Sequence, residues 1–295
     1  SLLPPLIRRT GRNRLWRKSD AQTLYSNDLA VCGKLSYFTV ASDKNTTMQA
    51  AKDLFSEGSE QYAQFRPSYP IELYEFLYAH LDHFGLAWDA GTGAGQVACA
   101  LSTRFEQIIA TDISAPQIAN AERRPNIRYI VCRAEQTPFP DASFDLITAG
   151  QAVHWFDPIP FYKEARRTAK PGAVIAVWGY DLLEIGPYAD ELITAYHRDV
   201  LGKYWDYERR YVDNRYADFP FPFEDIPCPG FTMRMNWTLS QLEGYLNTWS
   251  ALRNYRRETG SDPLPPLIAH IAEHWPAGEV HEVRFPVFVR VGRVV

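Results

Sequence analysis

Little in this chain points to metal or membrane chemistry. It has four cysteines (Cys32, Cys99, Cys132, Cys228) in 295 residues and no C-x-x-C pair. Thiols so scattered argue against a zinc site or a disulfide framework, so no metal is expected and the expected setting is a reducing one, the cytoplasm. No run approaches about eighteen uninterrupted apolar residues, which leaves no candidate for a membrane-spanning helix. Internal repeats and low-complexity tracts are absent too.

What is present describes a soluble globular chain. Apolar residues are 46% and charged residues 22%, ordinary values for a folded domain. The length fits one large domain or a domain with a cap, as a monomer or a homodimer. The net charge of -4 is unevenly spread: residues 1–47 carry eight Lys/Arg against three Asp, a net of +5, which leaves -9 for residues 48–295. An acidic body is a poor footprint for nucleic acid. The basic head, expected to lack order, has three readings: a targeting segment, a stretch upstream of a true start at Met48, or a segment with no role.

From Met48 the pattern becomes regular. Residues 49–65 read as a helix with a glycine interruption, broken by the prolines of RPSYP (66–70), and 71–81 as a second helix. Five strand-like runs then alternate with helices: GLAWDAG, QIIATDIS (107–114), NIRYIVCRA, FDLITAGQ (144–151) and AVIAVWGY (173–180). That alternation predicts an α/β chain of βαβ units around a mostly parallel sheet. The core is expected over 48–180. Residues 181–230 and 238–280, aromatic, charged and helical in pattern, are expected to form an inserted substrate lid, with 238–260 as one helix. Residues 231–237 and 284–295 supply the final strands of a seven-stranded sheet.

The stretch WDAGTGAGQ (88–96) puts three glycines at alternate positions where the first strand ends. A glycine-rich turn there lets a ligand approach the backbone at the sheet's carboxyl edge. A Walker loop needs Lys-Ser/Thr after its last glycine, and none follows. A nicotinamide fingerprint, G-x-G-x-x-G, is met at Gly91 and Gly93, but Gln96 stands in the third place and the last glycine falls one residue early, at Gly95. Asp89 precedes the loop; a carboxylate there repels a pyrophosphate and suits an ammonium group. Asp112 closes the second strand 21 residues after Gly91, where an acid accepts hydrogen bonds from ribose hydroxyls. A ligand with a ribose, a cationic end and no phosphate describes S-adenosyl-L-methionine (SAM).

The region from about 60 to 180 resembles a class I SAM-dependent methyltransferase of the type-11 kind, with its Rossmann-like fold. DAGTGAGQ resembles the family's first motif and implies cofactor contacts at Asp89, Gly91, Thr92, Gly93 and Gly95. ATDIS resembles the second, which carries Asp112 to the ribose and Ile113 to one face of the adenine. AEQTPFPDASFDLITAGQAVHWF (134–156) resembles the family's AE-x-LPF-x-x-x-SFD stretch and its following strand, and implies contacts at Ala134, Glu135 and Ala149. The family often has Asp just before that Ala; Arg133 stands here, so the adenine edge falls to the backbone near Ala134, with Glu135. YAQFRPSYP (62–70), HWFD (154–157), TWSALRNY (248–255) and the terminal VRVGR together look like the trans-aconitate methyltransferase-like branch, whose better-known members methylate small carboxylic acids.

Methyl transfer from a sulfonium is an in-line displacement, so alignment and exclusion of water are the enzyme's main work. A carboxylate acceptor is already ionised at neutral pH and needs only a cation to orient it, ideally an arginine; a phenol or amine would gain from a base. Trp249 and Arg253 stand four apart on one helix face. Either Trp249 covers the pocket with Arg253 on the acid, or Trp249 packs the lid and the arginine is solvated. His154 has four readings: a base, a hydrogen-bond donor to the acceptor, a structural cap near Asp157, or a residue that lines the cofactor. Tyr62 and Arg66, with Tyr69, either fold over the cofactor's carboxylate or belong to a surface helix and its proline turn. The expected activity is SAM-dependent O-methylation of a small carboxylic acid. The alternatives are a SAM-binding protein without catalysis and, against the Gly95/Gln96 arrangement, a nicotinamide-dependent oxidoreductase.

Overall fold

A computed structural model describes residues 67–295. The expectations for the basic head, the helix over 49–65, Tyr62 and Arg66 lie outside the described residues. Helix α1 (Ile71–Tyr78) starts directly after Pro70 and buries Leu73, Tyr74, Leu77 and Tyr78, the i, i+1, i+4, i+5 face that its sequence spacing gives. Strands β1 (Leu86–Ala90), β2 (Gln107–Asp112), β3 (Ile127–Val131), β4 (Phe144–Gly150) and β5 (Ala169–Tyr180) pair in parallel in the order β3-β2-β1-β4-β5. Between them lie α2 (Gln96–Leu101), α3 (Ala115–Ala119) and α4 (Pro158–Thr168), the last two capped by the side chains of Ser114 and Asp157. β4 is buried at all of its positions. Successive residues of β5 feed two separate cores: Val174, Ala176 and Trp178 one, Ala173, Ile175 and Val177 the other. A sheet covered on both faces explains why its central strands read as continuous apolar runs.

Beyond β5 come α5 (Pro187–Ala195), a π-turn at Tyr196–Val200, a 3-10 turn at Gly202–Tyr204 and α6 (Arg209–Asp213). Then follow β6 (Glu224–Ile226), β7 (Phe231–Trp237), α7 (Leu239–Asn247), α8 (Ser250–Thr259), α9 (Leu264–Ala272) and β8 (His281–Arg293). β8 runs antiparallel to β5 on one side; on its other side its first half pairs with β7 and its last three residues with β6. Among the described residues the Rossmann-like sheet therefore has eight strands, one beyond the seven expected. The addition, β6, is three residues long and lies between proline-rich stretches, which hides any strand signal.

The single helix expected over 238–260 is two. Thr248 Oγ1 donates to the Tyr245 carbonyl at 2.6 Å and Asn247 Nδ2 to that of Glu243 at 3.0 Å, while Trp249 turns extended with ψ 128°. Side chains bonded back onto carbonyls compete with the next helical turn, and the Trp249 ring, buried against Tyr196, His197, Trp205 and Tyr245, holds the bend.

Candidate active site

The glycine loop joins β1 to α2 at the carboxyl edge of the sheet, and its three glycines all have left-handed backbone: φ is 67° at Gly91, 55° at Gly93 and 87° at Gly95. At two of them space is closed as well. A Cβ on Gly91 would lie 2.6 Å from that of Ala152, and one on Gly95 would meet the Tyr129 ring at 3.0 Å. The loop's N–H groups are largely spent inside it: Thr92 donates to the Thr111 carbonyl, Gly93 to Asp112 Oδ2 and Gly95 to the Thr92 carbonyl, at 2.8–3.0 Å. A phosphate cradle would keep such donors for its ligand, so the geometry speaks against a pyrophosphate.

Asp112, at the end of β2, also accepts from the Ser114 N–H at 2.8 Å, so its carboxylate is held from two sides. Next to it Ile113 is 51% exposed, an apolar surface suited to the flat face of a base. Asp89 is 1% exposed. Its Oδ2 accepts from Thr92 at 2.5 Å and its Oδ1 from Thr148 at 2.9 Å, so it ties the glycine loop to β4. Burial pushes its carboxyl up to about 6, opposed by those two hydroxyls. Glu135 is likewise engaged, accepting from the Asp157 N–H at 3.1 Å and from Arg133 at 3.3 Å. Ala134 and Ala149 are buried in the core beneath.

The turn after β4 faces this loop, since Gly91 abuts Ala152 and Phe156. Gln151 has a left-handed φ of 53°, and its Oε1 is buried with no hydrogen-bond partner among the described residues. His154 follows in the 3-10 turn Val153–Trp155, 6% exposed, with Nδ1 2.8 Å from the Tyr216 hydroxyl. The structure thus brings together Asp89, Gly91, Thr92, Gly93, Gly95, Asp112, Ile113, Ala149 and His154. Trp249 packs instead on Tyr196, His197, Trp205 and Tyr245, and Arg253 Nη1 donates to the Thr248 carbonyl at 3.2 Å, closing the end of α7.

Sequence reading missed Thr148, Gln151, Arg209 and Tyr216. Tyr216 is 62 residues from His154, and no local pattern announces such a contact. Arg209 stacks on Trp205 at 4.9 Å and bonds Asp213 at 2.8 Å. Burial pushes the Tyr216 hydroxyl well up and raises Asp181, and in both cases the Arg209 charge works against the rise.

Comparison with known proteins fits this geometry. Residues 88–177 match the family model for a methyltransferase domain. A candidate methyltransferase of Dictyostelium discoideum is 31% identical over 245 residues, covering 80% of this chain and 93% of that protein. The solved structure of a candidate type II methyltransferase from Anaeromyxobacter dehalogenans superposes with a TM-score of 0.74 at 37% identity, covering 78% of this chain and 98% of that one. A malonyl-[acyl-carrier protein] O-methyltransferase of Marinomonas is 32% identical over 130 residues, 42% of this chain and 47% of that protein.

Proposed function

We propose, from the premise that the chain belongs to the class I SAM-dependent methyltransferases, that it methylates the carboxylate of a small organic acid and sits in the trans-aconitate methyltransferase-like branch. Bound SAM supplies a methyl group on a sulfonium. The chain's own residues do the rest. Asp112 and Ile113 suit the ribose and the base, and the closed space at Gly91 and Gly95 sets how near the ligand comes to the backbone. The acceptor needs no base, because a carboxylate is ionised at neutral pH; it needs a cation and a dry site.

The observation that carries the acceptor class is the Arg209 guanidinium. It is backed by Trp205, and its charge is felt at Tyr216, the hydrogen-bond partner of His154. Arg253, on α8, is a second candidate cation. A forked guanidinium matches a carboxylate better than it matches an amine or a phenol. The aromatic cluster around Trp249 supplies the water-excluding cover. The kinship with an O-methyltransferase, malonyl-[acyl-carrier protein] O-methyltransferase, supports oxygen as the methylated atom. The test is release of S-adenosylhomocysteine with a panel of small mono-, di- and tricarboxylic acids, each paired with its amide, beside phenols and amines. Turnover with acids alone, giving a base-labile ester, is the expected result. Turnover confined to amines or phenols would overturn the reading.

A further inference from the structure

We infer that Gln151 is a substrate-binding residue, whose carboxamide is held unpaired in the ligand-free protein and donates from Nε2 to the carboxylate of the acceptor. That the carboxamide is held for a ligand stands on the structure of the protein alone. That the ligand group is a carboxylate rests on the acceptor reading above.

Three features hold this side chain in place. Gln151 is the first residue after β4, and its left-handed φ of 53° is a backbone that favours glycine and persists only where the surroundings over-determine it. Its N–H donates to the Trp178 carbonyl at 2.7 Å, tying the turn to β5. The next residue, Ala152, packs on the glycine loop, 2.6 Å from where a Cβ on Gly91 would stand. The third feature is a glycine on β5. A Cβ on Gly179 would lie 2.7 Å from Gln151 Oε1 and would also strike the ring of Phe288, the residue paired with Gly179 on β8. Glycine there leaves room for the carboxamide beside the ring.

A group so closely held bonds to nothing in the protein. Oε1 is buried without a hydrogen-bond partner, and Nε2 makes no hydrogen bond either, among the described residues. A side chain kept for packing alone would be apolar, because an unpaired buried carbonyl costs stability and methionine fills the same volume without one. The residue as a whole is half-buried. Oε1 is its closed end, so Nε2 is the end that a ligand can reach. The place in the sheet says which ligand. Strand order runs β2-β1-β4-β5; Asp112 closes β2, the glycine loop follows β1, and Gln151 leans from β4 over Gly179 of β5. A cofactor laid along β2 and β1 leaves the β4–β5 edge to the acceptor. An N–H suits an ionised carboxylate, which only accepts, and a hydrogen bond to a charged oxygen is stronger than one to a neutral oxygen.

The experiment compares the parent with Gln151→Met, which keeps the shape and loses the donor, and Gln151→Glu, which keeps the shape and adds a negative charge. Urea midpoints come first and need no acceptor. Gln151→Met should be at least as stable as the parent, since it removes an unpaired carbonyl; a lower midpoint would mean that the carboxamide is bonded within the protein, and overturns the inference. SAM affinity of Gln151→Met by isothermal titration should stay within about twofold of the parent. A larger loss puts Gln151 on the cofactor instead and also overturns it. With an accepted carboxylic acid, Gln151→Met should raise KM about tenfold or more, the size of one hydrogen bond to a charged group, with kcat within about threefold. Gln151→Glu should raise KM further, through repulsion of like charges. An unchanged KM in Gln151→Met sinks the donor role while the acceptor reading stands. If no carboxylic acid is turned over, the acceptor reading fails and the donor role falls with it, whereas the midpoint of Gln151→Met still decides whether the carboxamide is held unpaired.

Discussion

Gly95 and Asp89 make one loop sensitive in two different ways. Gly95→Ala forces a side chain into φ 87° and against the Tyr129 ring, at a cost of about 1–3 kcal/mol. The variant should unfold at lower urea, and its SAM affinity by isothermal titration should fall at least about tenfold. Tyr129→Phe in the same chain should recover part of the stability. Unchanged SAM binding in Gly95→Ala would remove the loop from the site. Asp89 gives a pH signature. Its folded carboxyl is raised to about 6 from the ordinary 3.8, so between those values the folded state binds more protons than the unfolded one. Stability must therefore fall as pH rises from about 4 to 6, by about 3 kcal/mol for this group. Asp89→Asn has no proton to lose and should flatten that slope; parallel slopes in urea midpoints of the two proteins would refute the assignment. The glycines and both aspartates are legible in the sequence, because spacing behind a strand is local. Their partners are not: Thr148 lies 59 residues from Asp89, and only the folded sheet sets them side by side.

Among elements, the break between α7 and α8 marks where sequence reading stops. Apolar periodicity runs on through Thr248-Trp249, with no glycine or proline at the break itself, so one helix is the natural expectation. The bend is decided by tertiary packing, since Trp249 fills an aromatic cluster that a straight helix would not let it enter. Trp249→Ala should then destabilise by about 3–5 kcal/mol, as for a large buried aromatic. The loss should be local, with protease sites opening first within 239–260 and SAM affinity within about twofold of the parent at low temperature. If SAM binding fell together with protection, α7 and α8 would be part of the cofactor site. β6 was illegible for a different reason. Three residues with two acids carry no alternation, and its pairing with β8 spans about 70 residues of chain. By contrast α1, β1, β2 and β4 were legible, since each is specified by residues within one or two turns.

Across the whole molecule, the last strand organises the second half of the sheet. β5 would be an open edge without β8, and β6 and β7 have β8 as their common partner. The register joins Val174 to Arg293 and Tyr180 to Val287, pairings of more than a hundred residues' separation, whose loop-closure entropy must be met before the contacts stabilise anything. A chain ending at Phe285 keeps β7's main partner residues but removes all of β8 that pairs with β5 and β6. β5, apolar on both faces, would then be an unpaired edge, a template for aggregation. The truncated protein is expected to aggregate on expression, and any soluble fraction to lack the near-ultraviolet signal of fixed tryptophans and to bind no SAM. The contrary result would be informative too. If it bound SAM with near-parental affinity, the parallel strands β1–β5 and their helices would fold as a unit, and β6–β8 would be an addition that the cofactor site does not need. The two cores favour the first outcome. Val287 and Val291 of β8 and Trp178 of β5 lie in the same cluster as Val97 and Leu101 of α2, the helix that the glycine loop opens, so stripping the strand exposes the floor under that loop.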